Sequence, residues 1–202
     1  MLRGKTDEAY KQVSRALDAY PDYSIALATR GILNLNAGKT AEASVDFQNA
    51  IQADPDYGPP YVVLGALYNH AHRYNDALLV LTRARRLIPS VWQVHFEMGQ
   101  ALLGKGGDDT AALAEMTNAV RTISDAEAPE DRASVHFWRA HVLVQLKDFL
   151  DARSEYLRVI HEQPDGPWAG FARQALRLLP SRASLAVAEP VSPTDGNLLT
   201  DH

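Results

Sequence analysis

The sequence of 202 residues contains no cysteine, which excludes disulfide bonds, thiolate zinc sites and thiol catalysis. It contains no Asn-x-Ser/Thr sequon either. It also lacks an uninterrupted run of about 18 to 20 apolar residues, the length that a membrane-spanning helix needs. Met1 leads into a charged segment and not into the apolar core of a signal peptide. These absences predict a soluble protein with no direct membrane span.

An excess of positive charge is missing as well. Lys and Arg number 20 against 25 Asp and Glu, so the formal net charge is −5, and we expect no nucleic acid among the partners. We expect a cytoplasmic protein for the sequence as written, and a periplasmic or membrane-anchored protein if further sequence precedes Met1. The chain is well supplied with apolar residues, at 46%, which is ample for a buried core.

The chain repeats itself with a period of 34 residues. Gly31, Gly65 and Gly99 are separated by that step. Four further pairs keep the same step: Ala43 with Ala77, Phe47 with Leu81, Ala50 with Ala84, and Pro55 with Pro89. A period of this length predicts an array of small structural units that stack on one another.

Each unit of the repeat is predicted to hold two helices. Apolar residues recur at steps of three and four, as from Ala43 through Phe47 to Ala50. Residues 36–39 supply a turn inside one unit, and residues 54–56 end that unit with a proline, which cannot continue the preceding helix.

Glycine at the interior of these helices requires an explanation. It costs about 1 kcal/mol relative to alanine, so a recurring glycine must permit a contact that offsets this loss. We expect Gly65 to face the second helix of its own unit, where Ala77 offers a matching small surface.

With these features the chain resembles the tetratricopeptide repeat family. The pattern is carried by Leu27, Gly31, Ala43, Phe47, Ala50 and Pro55 in the second unit, and by Tyr61, Leu64, Gly65, Tyr68, Ala77, Leu81, Ala84 and Pro89 in the third. The resemblance implies an all-α fold, a right-handed α-solenoid of antiparallel helix pairs. It covers residues 1–166, divided into a half repeat at 1–23 and units at 24–57, 58–91, 92–132 and 133–166.

The two ends of the chain differ from the full units. Residues 1–23 match only the second helix of a unit, which leaves an apolar face half covered. A truncated chain, a late start codon or a homodimer contact through this half repeat would each account for it. We expect residues 167–179 to form a helix that caps the stack, and residues 180–202 to form a flexible tail.

No pattern in the sequence predicts a catalytic, metal or cofactor site. Gly38-Lys39-Thr40 matches the end of a phosphate-binding loop, but Leu33 stands where that motif needs its first glycine and a helix precedes it. We interpret this triplet as a turn between helices. The nearest histidines, such as His70 and His72, lack the i, i+4 spacing of a helical zinc site. We therefore expect no enzyme activity.

In the family that the sequence resembles, the first helix of each unit lines a concave groove that holds the ligand. The resemblance places the following residues in that groove: Ala28, Ile32, Asn36, Val62, Ala66, Asn69, His70, Phe96, Gln100, Phe137, His141 and Gln145. The chaperone-binding members grip a peptide carboxylate with groove lysine, arginine and asparagine, a clamp that is absent here. Apolar groups with a few amides and imidazoles favour an extended or helical segment with aliphatic anchors.

Two functional hypotheses follow. The first is a non-enzymatic scaffold whose concave groove binds a peptide or helical segment of a protein partner. The second is a regulatory or substrate-docking fragment of a larger enzyme, or of an envelope or secretion assembly complex, and the missing first helix of residues 1–23 favours it.

Overall fold

The structure, a computed structural model, describes residues 2–180, with their side chains from Thr6 onward. Within that range the chain forms ten α-helices and no strand. They are α1 (Leu2–Ala19), α2 (Ser24–Asn36), α3 (Thr40–Ala53), α4 (Pro59–His70), α5 (Tyr74–Leu87), α6 (Trp92–Lys105), α7 (Asp109–Thr122), α8 (Pro129–Gln145), α9 (Phe149–Glu162) and α10 (Pro167–Leu178). None of these helices is long and apolar enough to cross a membrane.

Several of these helices begin where the local chemistry favours a start. Proline occupies the first turn of α4, α8 and α10, where a missing N–H costs nothing. The side chains of Asp108 and Asp148 cap α7 and α9 by accepting hydrogen bonds from the backbone N–H groups of Ala111, at 2.9 Å, and Asp151, at 3.2 Å.

The helices stack as a right-handed solenoid of antiparallel pairs, as the sequence predicted. Within a unit, α2 packs on α3, α4 on α5, α6 on α7 and α8 on α9. The second helix of each unit then contacts the first helix of the next. The first helices also contact one another, from α4 to α6, from α6 to α8 and from α8 to α10. They therefore form one continuous face of the stack, which we call the groove face.

The interior glycines lie where a large side chain of the paired helix inserts. A Cβ added at Gly65 would lie 2.5 Å from Cγ of Leu81, and one added at Gly31 would lie 2.9 Å from the ring of Phe47. The nearest neighbour of Gly65 is thus Leu81 and not Ala77, the residue that the sequence favoured. A small residue on one helix accommodates a large one on the other, because such packing fills space better than two small surfaces would.

A buried carboxylate joins the two helices in three of the four full units. Asp46, Glu115 and Glu155 are 3%, 8% and 6% exposed, and each immediately precedes the large apolar residue that packs between the helices of its unit. The third unit has Val80 at this place, and its pair is held by apolar packing around Leu81.

Each of these carboxylates has partners on a first helix. Asp46 accepts hydrogen bonds from Arg30, at 2.6 Å, and from Asn34, at 2.8 Å. Glu155 lies 2.6 Å from both Arg139 and His136. Paired charges of this kind hold one alignment of the two helices, because any slip would leave a charge buried without a partner.

In the fourth unit the buried carboxylate is Glu115, which joins three helices. It lies 2.6 Å from Arg85 of α5 and 2.7 Å from Nδ1 of His95 on α6. Nε2 of His95 lies 2.9 Å from the carbonyl oxygen of Pro89, so both ring nitrogens face acceptors. Sequence reasoning missed these pairs, because their members lie 20 to 30 residues apart along the chain.

The ends of the stack are closed differently. At the amino-terminal end α1 packs on α2, and the Tyr10 hydroxyl donates to Asn34 Oδ1 at 3.0 Å. At the other end α10 packs on α8 and α9, and it exposes Gly170, Arg173 and Gln174 on its outer side. Beyond Pro180, the tail predicted at 180–202 lies outside the described residues.

Two glycine-to-alanine substitutions test the packing, because we expect them to change the stability of the protein in opposite directions. We expect Gly65→Ala to destabilise the protein, because overpacking costs about 1 to 3 kcal/mol and the added methyl group would overlap Leu81. Gly170→Ala meets no atom within 4 Å, so the better helix propensity of alanine stabilises it by about 1 kcal/mol. Urea unfolding followed by circular dichroism measures both. Equal shifts of the two midpoints would contradict the inserted contact.

Acid is expected to weaken the pairing of α8 with α9. Burial raises the pKa of Glu155, but the hydrogen bond and charge of His136, with Arg139 and Arg158, outweigh it and hold that pKa below its ordinary value of 4.5. Because the folded-state pKa is the lower one, the stabilisation is complete above pH 4.5 and is lost as the pH falls through the folded-state value.

Glu155→Gln isolates this contribution. At pH 7 we expect the variant to be less stable by roughly 2 kcal/mol, with the difference shrinking as the pH falls below 4.5. Urea midpoints of both proteins between pH 3 and 7 measure it. Parallel curves over that range would show that Glu155 does not supply this acid sensitivity.

Candidate binding groove

The predicted groove residues fall into a group that packs inside the stack and an accessible group. Ala28 is 5% exposed and belongs to the amino-terminal core. Phe96 is half-buried against Trp92, with ring centroids 5.8 Å apart. Phe137 packs on Tyr156 and Trp168, at 5.6 and 5.0 Å. The two phenylalanines therefore support the stack, whatever further part they have in binding.

The accessible group is larger. Ile32 is 48% exposed, and the following predicted groove residues are exposed or half-buried: Asn36, Val62, Ala66, His70, Gln100, His141 and Gln145. Asn69 is the most enclosed of the polar residues, at 8% exposure.

Four of the predicted residues meet in one cavity of about 450 Å³ on the groove face, which we call the groove cavity. Asn69 and His70 reach it from α4, Gln100 from α6 and His141 from α8. Leu103 of α6 adds an apolar surface. The structure thus brings residues of three successive units together at one place.

Four residues that sequence reasoning did not select complete the wall. They are His72, Tyr74, Gly104 and Trp138. A Cβ at Gly104 would collide with the ring of Tyr74, so the absence of a side chain there lets the tyrosine lie across the α6 end. The sequence did carry a signal for this site, because Gly104 occupies the repeat position that Asn36 and His70 hold in the two preceding units.

His72 has an unusual backbone for its residue type. Its φ is 56°, in the left-handed region that glycine adopts most easily, and the equivalent residue of the preceding unit is Gly38 with a φ of 75°. Nδ1 of His72 shares a 2.7 Å hydrogen bond with the Tyr74 hydroxyl. Strain of this kind persists where the surrounding structure holds it, and here Tyr74 supplies that hold.

Asn69 links the cavity to a half-buried acid, Glu97. Its Nδ2 donates to the backbone oxygen of Glu97, at 2.9 Å, and to the Glu97 carboxyl group, at 2.8 Å. Its Oδ1 is buried with no hydrogen-bond partner in the described part of the chain. Burial raises the pKa of Glu97, against the opposing effects of Asn69 and the His70 charge.

Side chains that both donate and accept hydrogen bonds line the cavity. Burial lowers the pKa of His141 below 6.5, against the opposing charge of Asp109, so its imidazole is neutral at pH 7 with one donor and one acceptor. Gln100 adds an amide with both functions. Trp138 lies beside His141, with ring centroids 5.7 Å apart, and provides an aromatic surface.

Such a lining suits recognition of a peptide. Amide and imidazole groups can pair with a backbone N–H and C=O, while Trp138 and Leu103 can contact an apolar side chain. Among residues 2–180 no three His, Asp or Glu side chains are grouped so that they could hold a metal ion.

Comparisons with known proteins agree with this architecture. Residues 3–58 match the family model described as tetratricopeptide repeat. TTC0263 of Thermus thermophilus superimposes with a TM-score of 0.66 at 22% identity, over 88% of this chain and 93% of that one. The fold is that of a tetratricopeptide repeat protein.

Two further tetratricopeptide repeat structures have similar scores. YrrB, described as having an unusual peptide-binding site, matches with a TM-score of 0.65 and 20% identity, over 86% of this chain and 87% of its own. MamA of Desulfovibrio magneticus RS-1 matches with a TM-score of 0.65 and 20% identity, over 82% and 89%. A search of curated proteins found no match.

Two turn residues of this helical array test whether the His72 backbone is strained. Lys147 occupies the same repeat position and has a φ of 62°, but it does not line the cavity. We expect Lys147→Gly to raise the free energy of unfolding by about 0.5 to 1 kcal/mol, since glycine removes the left-handed penalty. We expect His72→Gly to raise the free energy of unfolding by less, because the hydrogen bond between His72 and Tyr74 is lost at the same time.

Urea midpoints of the two variants and the wild type give the comparison. A destabilised Lys147→Gly protein would show that the left-handed turn carries no strain. Loss of helicity in His72→Gly would show that this residue is needed for folding.

Proposed function

We propose that the chain is a non-enzymatic interaction scaffold whose groove face binds a peptide segment of a protein partner, with the groove cavity as the anchor. The observation that carries this proposal is the convergence of hydrogen-bonding side chains from α4, α6 and α8 on one cavity. A ligand that touches three units at once requires the stack to be intact, which explains why the site is built across units and not within one.

The lining indicates how the segment binds. Gln100 and His141 pair with the peptide backbone, and a large aliphatic or aromatic side chain lies against Trp138 and Leu103. The cavity volume of about 450 Å³ is in the range of sites that enclose a small ligand or side chain. YrrB, with a similar fold at 20% identity, is described as having a peptide-binding site, which supports this class of ligand.

Ile32 and Asn36 provide a matched control for the cavity. They occupy the repeat positions of Gln100 and His70 in the second unit, and neither lines the groove cavity. A double alanine variant of each pair therefore removes equivalent side chains from the cavity or from the other end of the same groove face.

A phage-displayed library of random peptides supplies the probe. We expect the wild type to select peptides with a large apolar residue, and His70→Ala/Gln100→Ala to bind them at least tenfold more weakly, as for residues at the centre of an interface. We expect Ile32→Ala/Asn36→Ala to retain wild-type affinity, measured by fluorescence polarisation of synthetic peptides.

Each outcome has one meaning. Selection of no peptide by the wild type would refute the proposed function. Loss of binding only in the Ile32/Asn36 variant would place the anchor in the second unit. Unchanged affinity in both variants would remove the site from the groove face. Circular dichroism checks that each variant keeps its helicity.

A further inference from the structure

A second cavity adjoins the groove cavity at the turn between α4 and α5. This turn cavity has a volume of about 330 Å³. The two cavities share His72, Tyr74 and Gly104 in their walls. The hydrogen-bonded pair of His72 and Tyr74 therefore stands between them, and the missing side chain of Gly104 leaves room for the tyrosine ring.

The turn cavity differs from the groove cavity in charge. Its charged lining residues are Arg73, Asp76 and Lys105. Arg73 donates to Asp76 at 2.7 Å and also lies over the ring of Tyr68, 4.6 Å from its centroid. Lys105 forms no ion pair with any described residue. One positive charge is thus left over on this side of the wall.

Two carboxylates act on residues that line the groove cavity. The charge of Asp109 opposes the lowering of the His141 pKa, and the Glu97 carboxyl group accepts a hydrogen bond from Asn69. An anionic ligand group near either carboxylate would be repelled, whereas the same group near Lys105 would be attracted. The two cavities therefore differ in the ligand groups that they favour.

We infer that the partner segment carries an acidic side chain next to its apolar anchor. This inference rests on the proposed function, which places the segment in the groove cavity. This side chain passes the wall of His72 and Tyr74 into the turn cavity to meet Lys105. His72 and Lys105 are then specificity-determining residues of the scaffold. The second unit has glycine at this turn position, whereas His72 places an imidazole there. This imidazole shapes the passage between the two cavities.

Peptides selected from the random library by the wild type test this inference. Among them we expect Asp or Glu to be enriched within three residues of the apolar anchor. Replacing that residue by Gln or Asn in a synthetic peptide with blocked termini is expected to weaken binding roughly fivefold. Blocked termini ensure that the terminal carboxylate is not the group detected.

Protein variants assign the contact. In Lys105→Ala the acidic and the amide peptides are expected to bind equally. Lys39→Ala removes an exposed lysine from a turn outside both cavities and is expected to keep the wild-type preference, which controls for net charge. In His72→Gly we expect weaker discrimination between the two peptides.

The results separate this inference from the function on which it rests. Peptides that bind the groove cavity without acidic enrichment, and equally in Lys105→Ala, would overturn the inference and leave the proposed function intact. An acidic preference that survives in Lys105→Ala but not in Lys39→Ala would place the contact in the second unit and would also overturn it.

Discussion

Close approach of the two helices in each unit is the constraint on which the rest of the molecule depends. A glycine on the first helix receives a large side chain from the second, as Gly65 receives Leu81 and Gly99 receives Met116. Because this contact fixes the separation within a pair, it also fixes where the next pair can pack. The first helices are thereby set side by side, and the groove face is a consequence of the small residues behind it.

Buried carboxylates add a second constraint, on alignment. Apolar packing alone tolerates a helix that slides along its partner, since one aliphatic contact can replace another. Asp46, Glu115 and Glu155 remove that freedom where they occur, because each has partners at fixed positions on a first helix. The third unit has Val80 at this position, and its two helices are held by apolar packing around Leu81. Its first helix is the one that contributes Asn69 and His70 to the cavity.

The candidate site differs from a simple groove because a turn contributes to it. His72 and Tyr74 come from the connection between α4 and α5, while Gln100 and His141 come from the faces of α6 and α8. Helix faces repeat from unit to unit, and the left-handed backbone of this turn recurs at Gly38 and Lys147, but the side chains of this turn do not recur. The features that distinguish one unit from the others are concentrated there, and they are what can make the recognition of a ligand selective.

The sequence by itself determined the repeat and the helix pairs, because a period of 34 residues and a helical period of 3.6 are both visible along the chain. Only the tertiary structure decided which groove residues are free. Phe137 packs against Trp168, which lies far along the chain on α10. Tyr74 reaches the cavity because Gly104 leaves room for it. Both depend on distances between helices, which packing sets and local pattern does not record.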